Sequence, residues 1–225
     1  IVLSKDDLAT PTTQYSTGNG SNPHAIVFVD AEKAYVTLYE RDYVLILNPA
    51  TGDSLGRIDV SAFADADGLP EISQMAVFGD RVFFAAQRLN RDAFFSPTDA
   101  SLLLVIDTLT DTLVDVDPDT EGIQGITLAG TNPTAVVQRG GRLVVATVGT
   151  FGAQDGGIEV IDLLTLQTEG RLVTEESLAG DVGAMAMLND QEGYIVVSDA
   201  NFVSSVKRFD LSTGIASDTL PDHSG

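Results

Sequence analysis

Cysteine and tryptophan are both missing from this sequence. Without cysteine there is no disulfide, no thiolate metal ligand and no cysteine nucleophile. Histidine is almost missing too. His24 and His223 are the only two, 199 residues apart, which is no zinc-binding spacing. Basic residues are scarce, 12 against 33 acidic ones, for a net charge of −21. A chain this acidic repels phosphate backbones and anionic headgroups, so nucleic acid is not an expected partner. No apolar run approaches the roughly 18 residues of a membrane span, so no membrane insertion is expected. Helical periodicity is absent over any useful length.

Catalytic signatures are absent as well. No Gly-x-Ser-x-Gly elbow accompanies His24. The glycine-rich stretch 152–157 precedes a strand, not a helix, so it reads as a loop and not as a phosphate cradle. No catalytic residue and no cofactor are expected.

What is present is apolar and repetitive. Apolar residues make up 44 % of the 225, enough for a sizeable core. Asp outnumbers Glu by 24 to 9, and the acids are spread along the chain without a tail. That pattern reads as a solvated surface, with a high-salt habitat or divalent-cation binding as alternatives. The chain opens at Ile1, in what reads as mid-strand, so a mature or truncated product is expected.

Four segments share an apolar run, then Asp or Asn, two further residues, and Thr. They cover 43–60, 102–119, 157–173 and 205–220, and a weaker copy covers 1–18. The aligned acids and amides are Asp7, Asn48, Asp107, Asp162 and Asp210, spaced by 41, 59, 55 and 48 residues. That is the length of a β-propeller blade with variable loops. An Asp ending a strand accepts backbone N–H bonds two and three residues on and so fixes a tight turn. These five are therefore read as structural. Two strands lie upstream of each copy: 24–30 then 34–40, 73–80 then 82–89, 134–141 then 143–149, and 183–190 then 193–199. Each unit is thus four antiparallel strands, a to d from the axis outward, and the b strands are apolar on both faces.

The expected fold is all-β: a single propeller domain over 1–225, with blades at about 22–70, 71–131, 132–181 and 182–221 and a partial blade at 1–21. Residues 1–18 read as strands c and d of a blade whose a and b strands would follow Gly225. A longer protein is therefore expected, with a five-bladed ring as the alternative.

The segment from Asn22-Pro23 to Val60, and Asn132-Pro133 with 134–165, resemble the YVTN family of bacterial seven-bladed propellers. Tyr35-Val36-Thr37 and Val105-Ile106-Asp107-Thr108 match its pattern most closely. Blade two lacks the Asn-Pro, and blade four has Lys207-Arg208 where apolar residues are usual. The resemblance implies a secreted, periplasmic or surface protein of a bacterium or archaeon, and six or seven blades in all.

In a propeller the d–a and b–c connections share one face, and here the long connections fall there: 61–72, 88–101, 118–133, 149–157 and 173–182. Variable length on one face marks a binding face, with neutral drift as the bland alternative. The segment 88–101 holds Arg88, Arg91, Phe94 and Phe95, a plausible contact for an anion, sugar or peptide. Equally, both Phe can fold back and both Arg can pair with nearby Asp. His24 starts an a strand near the channel mouth. Asp115, Asp117 and Asp119 alternate, which predicts one face of a d strand, a charged edge or a weak calcium site. The function expected is a non-enzymatic extracytoplasmic module binding a protein, peptide or glycan on the long-loop face. The alternative is a propeller enzyme of the sugar-lactonase kind, and a third reading is a structural part of a larger secreted chain.

Overall fold

A computed structural model describes residues 2–219. Its first element is a hairpin, β1 (Val2–Ser4) and β2 (Asp7–Thr13), which forms a sheet of its own. Blade one pairs β3 (Pro23–Phe28), β4 (Ala34–Leu38), β5 (Tyr43–Leu47) and β6 (Ser54–Asp59) in sequence order. Blade two uses β7 (Ile72–Phe78), β8 (Arg81–Ala86), β11 (Leu102–Asp107) and β12 (Thr112–Leu113). Between its second and third strands sits a small hairpin, β9 (Leu89–Asn90) with β10 (Ser96–Pro97), and β13 (Ile126–Thr127) adds to β11. Blade three is β14 (Pro133–Arg139), β15 (Arg142–Thr147), β16 (Gly157–Asp162) and β17 (Gln167–Thr174). One short helix, α1 (Glu175–Leu178), leads to blade four: β18 (Asp181–Met187), β19 (Glu192–Ser198), β20 (Ser204–Asp210) and β21 (Ile215–Thr219). Every pairing is antiparallel.

The blades pack face to face, and a hydrophobic layer fills each gap. Tyr35, Val44 and Ile46 of blade one meet Ile72, Phe84 and Ile106 of blade two. Phe83, Leu103 and Val105 leave the other face of blade two for Val136, Leu143 and Ile161 of blade three. Val144, Ile158 and Val160 then meet Ile195, Val197 and Phe209 of blade four. Neighbouring residues of one strand thus serve two different layers, because side chains alternate across a strand. This is why the b and c strands of the inner blades read as continuous apolar runs. The innermost strands touch in the series β3, β7, β14, β18.

The turns follow from side-chain chemistry. Asp107 Oδ1 accepts from the N–H groups of Leu109 and Thr110 at 2.8 and 3.1 Å. Asn48, Asp162 and Asp210 make the same pair of bonds two and three residues on. Asp7 does so toward Ala9 and Thr10, but the first hairpin reverses at Lys5-Asp6, with Ser4 opposite Asp7. The turn expected at 7–10 is therefore displaced, since Asp7 begins β2 instead of ending β1. Among the described residues, β1 and β2 join no sheet with blade four. The chain after β2 crosses to blade one, where the Tyr15 hydroxyl donates to Ala50 O at 2.8 Å. Gly52 is required beneath that ring: a Cβ there would lie 2.1 Å from it.

The unusual basic pair of blade four is accommodated locally. Lys207 donates to the Leu178 carbonyl at the end of α1, and Arg208 pairs with Glu192. Among the described residues no helix is long and apolar enough to cross a membrane.

Candidate functional site

Asn22, Glu71 and Asn132 stand immediately before three of the innermost strands, with φ of 48°, 45° and 54°. This left-handed conformation suits Asn, whose short polar side chain bonds locally, and is uncommon for Glu. Each carbonyl accepts from the residue just after its own b strand: Tyr39 N–H at 2.9 Å, Gln87 at 3.3 Å and Val148 at 3.0 Å. Blade two thus keeps the geometry of the Asn-Pro turn without its residues. Asn132 also bridges blades, since the Gln87 amide donates to its Oδ1 at 2.9 Å and to Pro133 O at 2.8 Å.

The Asn22 and Asn132 turns border a concavity of about 450 Å³ on the long-loop face, hereafter the mouth. Its aromatic lining is His24, Tyr39, Phe94, Phe95 and Phe151. Its polar lining is Asn22, Gln87, Asn132 and Thr134. The His24 and Tyr39 rings stack, with centroids 5.6 Å apart. Burial lowers the His24 pKa, so the imidazole is neutral at pH 7. Tyr39 is pushed up to about 12, first by burial and then by the nearby Glu71 carboxylate, so it remains a phenol.

The aromatics of this face come from the b–c loops, at least one in every blade. Blade one presents Tyr39, blade two Phe94 and Phe95, blade three Phe151 and blade four Phe202. Phe94, Phe151 and Phe202 are 96, 66 and 86 % exposed. In blade two, Asn90 Oδ1 accepts from Asp92 N–H and Ala93 N–H, and the turn it caps drives Phe94 and Phe95 to φ of 55° and 57°. Such a backbone costs a non-glycine residue roughly 1–2 kcal/mol each. The sequence singles out Phe94 and Phe95 as a pair. Phe151 and Phe202 are isolated in short glycine- and Asn-bearing loops, and only alignment of the four b–c loops reveals them.

The two arginines of this segment are engaged by neighbouring loop groups. Arg91 bonds three carboxylates: Glu40 at 2.5 Å, Glu71 at 2.9 Å and Asp67 at 3.2 Å. Its guanidinium also lies 5.6 and 5.8 Å from the Tyr39 and Phe95 ring centroids. Arg88 pairs with Asp99 and donates to Ala100 O. The geometry matches the alternative in which both arginines pair with nearby acids within the loops. Carboxylate oxygens of Asp65, Asp67 and Glu71 approach within 4.8 Å, a spacing a cation could use, but Arg91 already occupies the position of the counter-charge. Burial raises the Glu71 pKa.

Asp115, Asp117 and Asp119 also need correction. Strand β12 ends at Leu113, so the alternation is not that of a strand. Asp115 Oδ1 instead accepts from Asp117 N–H and Gln124 N–H, and Asp117 accepts from the Thr120 hydroxyl, which folds the loop on itself. His223 lies outside the described residues.

Three buried glutamates that sequence patterning did not mark hold the long loops from behind. Glu71 accepts from Leu89 N–H, Glu159 from Ala129 and Gly130 N–H, and Glu175 from Gly156 and Val182 N–H. All three are fully buried.

No family model matches the chain, and no curated protein matches it. Solved structures do. Hydrazine synthase of Kuenenia stuttgartiensis is 13 % identical with a TM-score of 0.59, covering 93 % of this chain and 52 % of its own. The Pan2 WD40 domain of Neurospora crassa is 13 % identical with a TM-score of 0.52, over 89 % of this chain and 52 % of its own. The extracellular domain of a hybrid two-component system from B. thetaiotaomicron is 14 % identical with a TM-score of 0.54, over 92 % of this chain and 23 % of its own. This chain spans about half of the first two structures and less of the third. At such identities the likeness is one of fold alone: this is an all-β propeller of four-stranded antiparallel blades.

Proposed function

We propose that this protein is a non-enzymatic binding module that works outside the cytoplasm of a bacterium or archaeon and captures its ligand on the long-loop face. The observation that carries the reading is the concavity lined by His24, Tyr39, Phe94, Phe95 and Phe151. Exposed rings held by strained or capped turns are what a recognition surface needs, because the rings are ordered before the ligand arrives. The resemblance to YVTN propellers supports the extracytoplasmic assignment, and one neighbour in fold is itself an extracellular domain. The opposite face is built of tight turns whose Asp side chains bond their own backbone, with Leu109 and Leu164 exposed on two of them.

Chemical-shift mapping against a panel of peptides and oligosaccharides tests the reading. Perturbation should centre on Tyr39, Phe94 and Phe151. Perturbation confined to the turns at Asn48, Asp107, Asp162 and Asp210 would overturn it. A lactone-hydrolysis assay with a metal scan separates the enzymatic alternative, for which turnover lost on His24→Ala would be decisive. Recovery of the full-length protein in the cytosol of its source cells would refute the localisation.

A further inference from the structure

The chemistry of the ligand can be narrowed, on the premise that the long-loop face is the binding face. The loops of that face are 39–42, 60–71, 87–101, 114–132, 148–156, 175–180 and 199–203. They hold fifteen carboxylate side chains and three basic ones, Arg41, Arg88 and Arg91. All three bases are consumed internally. Arg41 donates to the carbonyls of Asn19, Gly20 and Glu40, Arg88 pairs with Asp99, and Arg91 with three carboxylates. The turns of the opposite face carry six acids and Lys33, with Asp107, Asp162 and Asp210 at their entrances, so both faces are acidic and the exposed rings set the mouth apart.

We propose that the mouth binds a polypeptide segment with an aliphatic or aromatic anchor flanked by lysine or arginine. The anchor would enter the concavity between Phe94, Phe95 and Phe151, which has no ionised side chain in its lining. The flanking cations would sit over the acidic loops, and also over the exposed ring faces, which attract cations through their quadrupole. Charge complementarity of this kind steers association and rejects acidic partners. A neutral glycan would use the rings but draw nothing from the acidic surround. Asp92 is an exposed member of that surround, one turn from Phe94.

The test uses calorimetry and chemical-shift mapping with synthetic peptides of about ten residues. The first has a central Leu-Phe pair flanked by lysines, the second has glutamates in place of the lysines, and the third has Ala-Ala at the centre. A neutral oligosaccharide series runs beside them. The lysine peptide should bind at the mouth, at least about tenfold tighter than either control, and weaken as salt rises. Phe94→Ala and Phe151→Ala should each lose roughly tenfold, and Asp92→Asn severalfold, with unfolding curves unchanged because all three side chains are exposed. Equal affinity for the lysine and glutamate peptides would overturn the proposal. Mouth binding of an oligosaccharide but of no peptide would overturn it and leave the binding-face reading intact. Binding of the lysine peptide elsewhere, insensitive to Phe94→Ala, or no binding of any probe, would overturn both.

Discussion

Gln87 and Asn132, 45 residues apart and both buried, share a hydrogen bond of 2.9 Å that joins blade two to blade three. Asn132 Nδ2 continues to Gly149 O, and its own N–H donates to the Ser101 hydroxyl. Replacing Asn132 by Ala removes one of the two bonds of the buried Gln87 amide, leaving the one to Pro133 O, and puts Ala at φ 54°. The expected cost is about 2–4 kcal/mol in urea unfolding, the sum of a lost buried hydrogen bond and a left-handed backbone. Asn22→Ala, at an exposed position with the same φ sign, should cost only about 1 kcal/mol. Equal losses would show that the inter-blade bond contributes nothing.

Turn carboxylates should act on stability alone. Asp107→Ala, Asp162→Ala and Asp210→Ala each remove two backbone bonds on the face opposite the mouth. Each should lower unfolding free energy by on the order of 1 kcal/mol. A change in ligand affinity at equal folded fraction would contradict their structural role.

Acidity should reveal Glu175. Burial, helped by Asp181 and Asp155, raises its carboxyl from 4.5 to about 6. The folded state therefore holds this proton more tightly than the unfolded one. Its contribution to stability is complete below about 4.5 and is lost as pH rises through about 6. Between pH 4.5 and 7 the wild type should lose on the order of 1–2 kcal/mol relative to Glu175→Gln. Parallel stability curves for the two proteins would refute the shift.

Salt should stabilise the chain. A net charge of −21 makes the folded state repel itself, and counter-ions screen that repulsion within about 10 Å at 0.1 M. The melting temperature should rise from low salt to about 1 M NaCl. A steady fall would mean that the internal ion pairs of Arg91 and Arg88 outweigh the general repulsion.

The blades were legible because their signals are local. An Asp at the end of an apolar strand and Thr three residues on act within a single turn, so Asp107 and Asp162 announce themselves. The site was less legible because its decisive contacts are distant. Arg91 and Glu71 are 20 residues apart, Arg91 and Glu40 51, and nothing in either loop alone reveals that the charges cancel. Asp115 misled for the opposite reason. Its alternation with Asp117 and Asp119 imitates a strand, while Pro118 and the Gln124 N–H close a loop there. Glu71 escaped notice because it replaces Asn in backbone geometry, not in chemistry.

The glutamates behind the loops have an evolutionary corollary. Glu71, Glu159 and Glu175 hold backbone N–H groups at Leu89, Ala129, Gly130, Gly156 and Val182, and the side chains they also bind are Arg91 for Glu71 and Thr168 for Glu159. Every residue but proline supplies a backbone N–H. Substitutions on the outward side of the loops therefore leave the anchoring bonds in place. Drift at the rim can thus remake the surface of this face while the path of the loops is inherited unchanged.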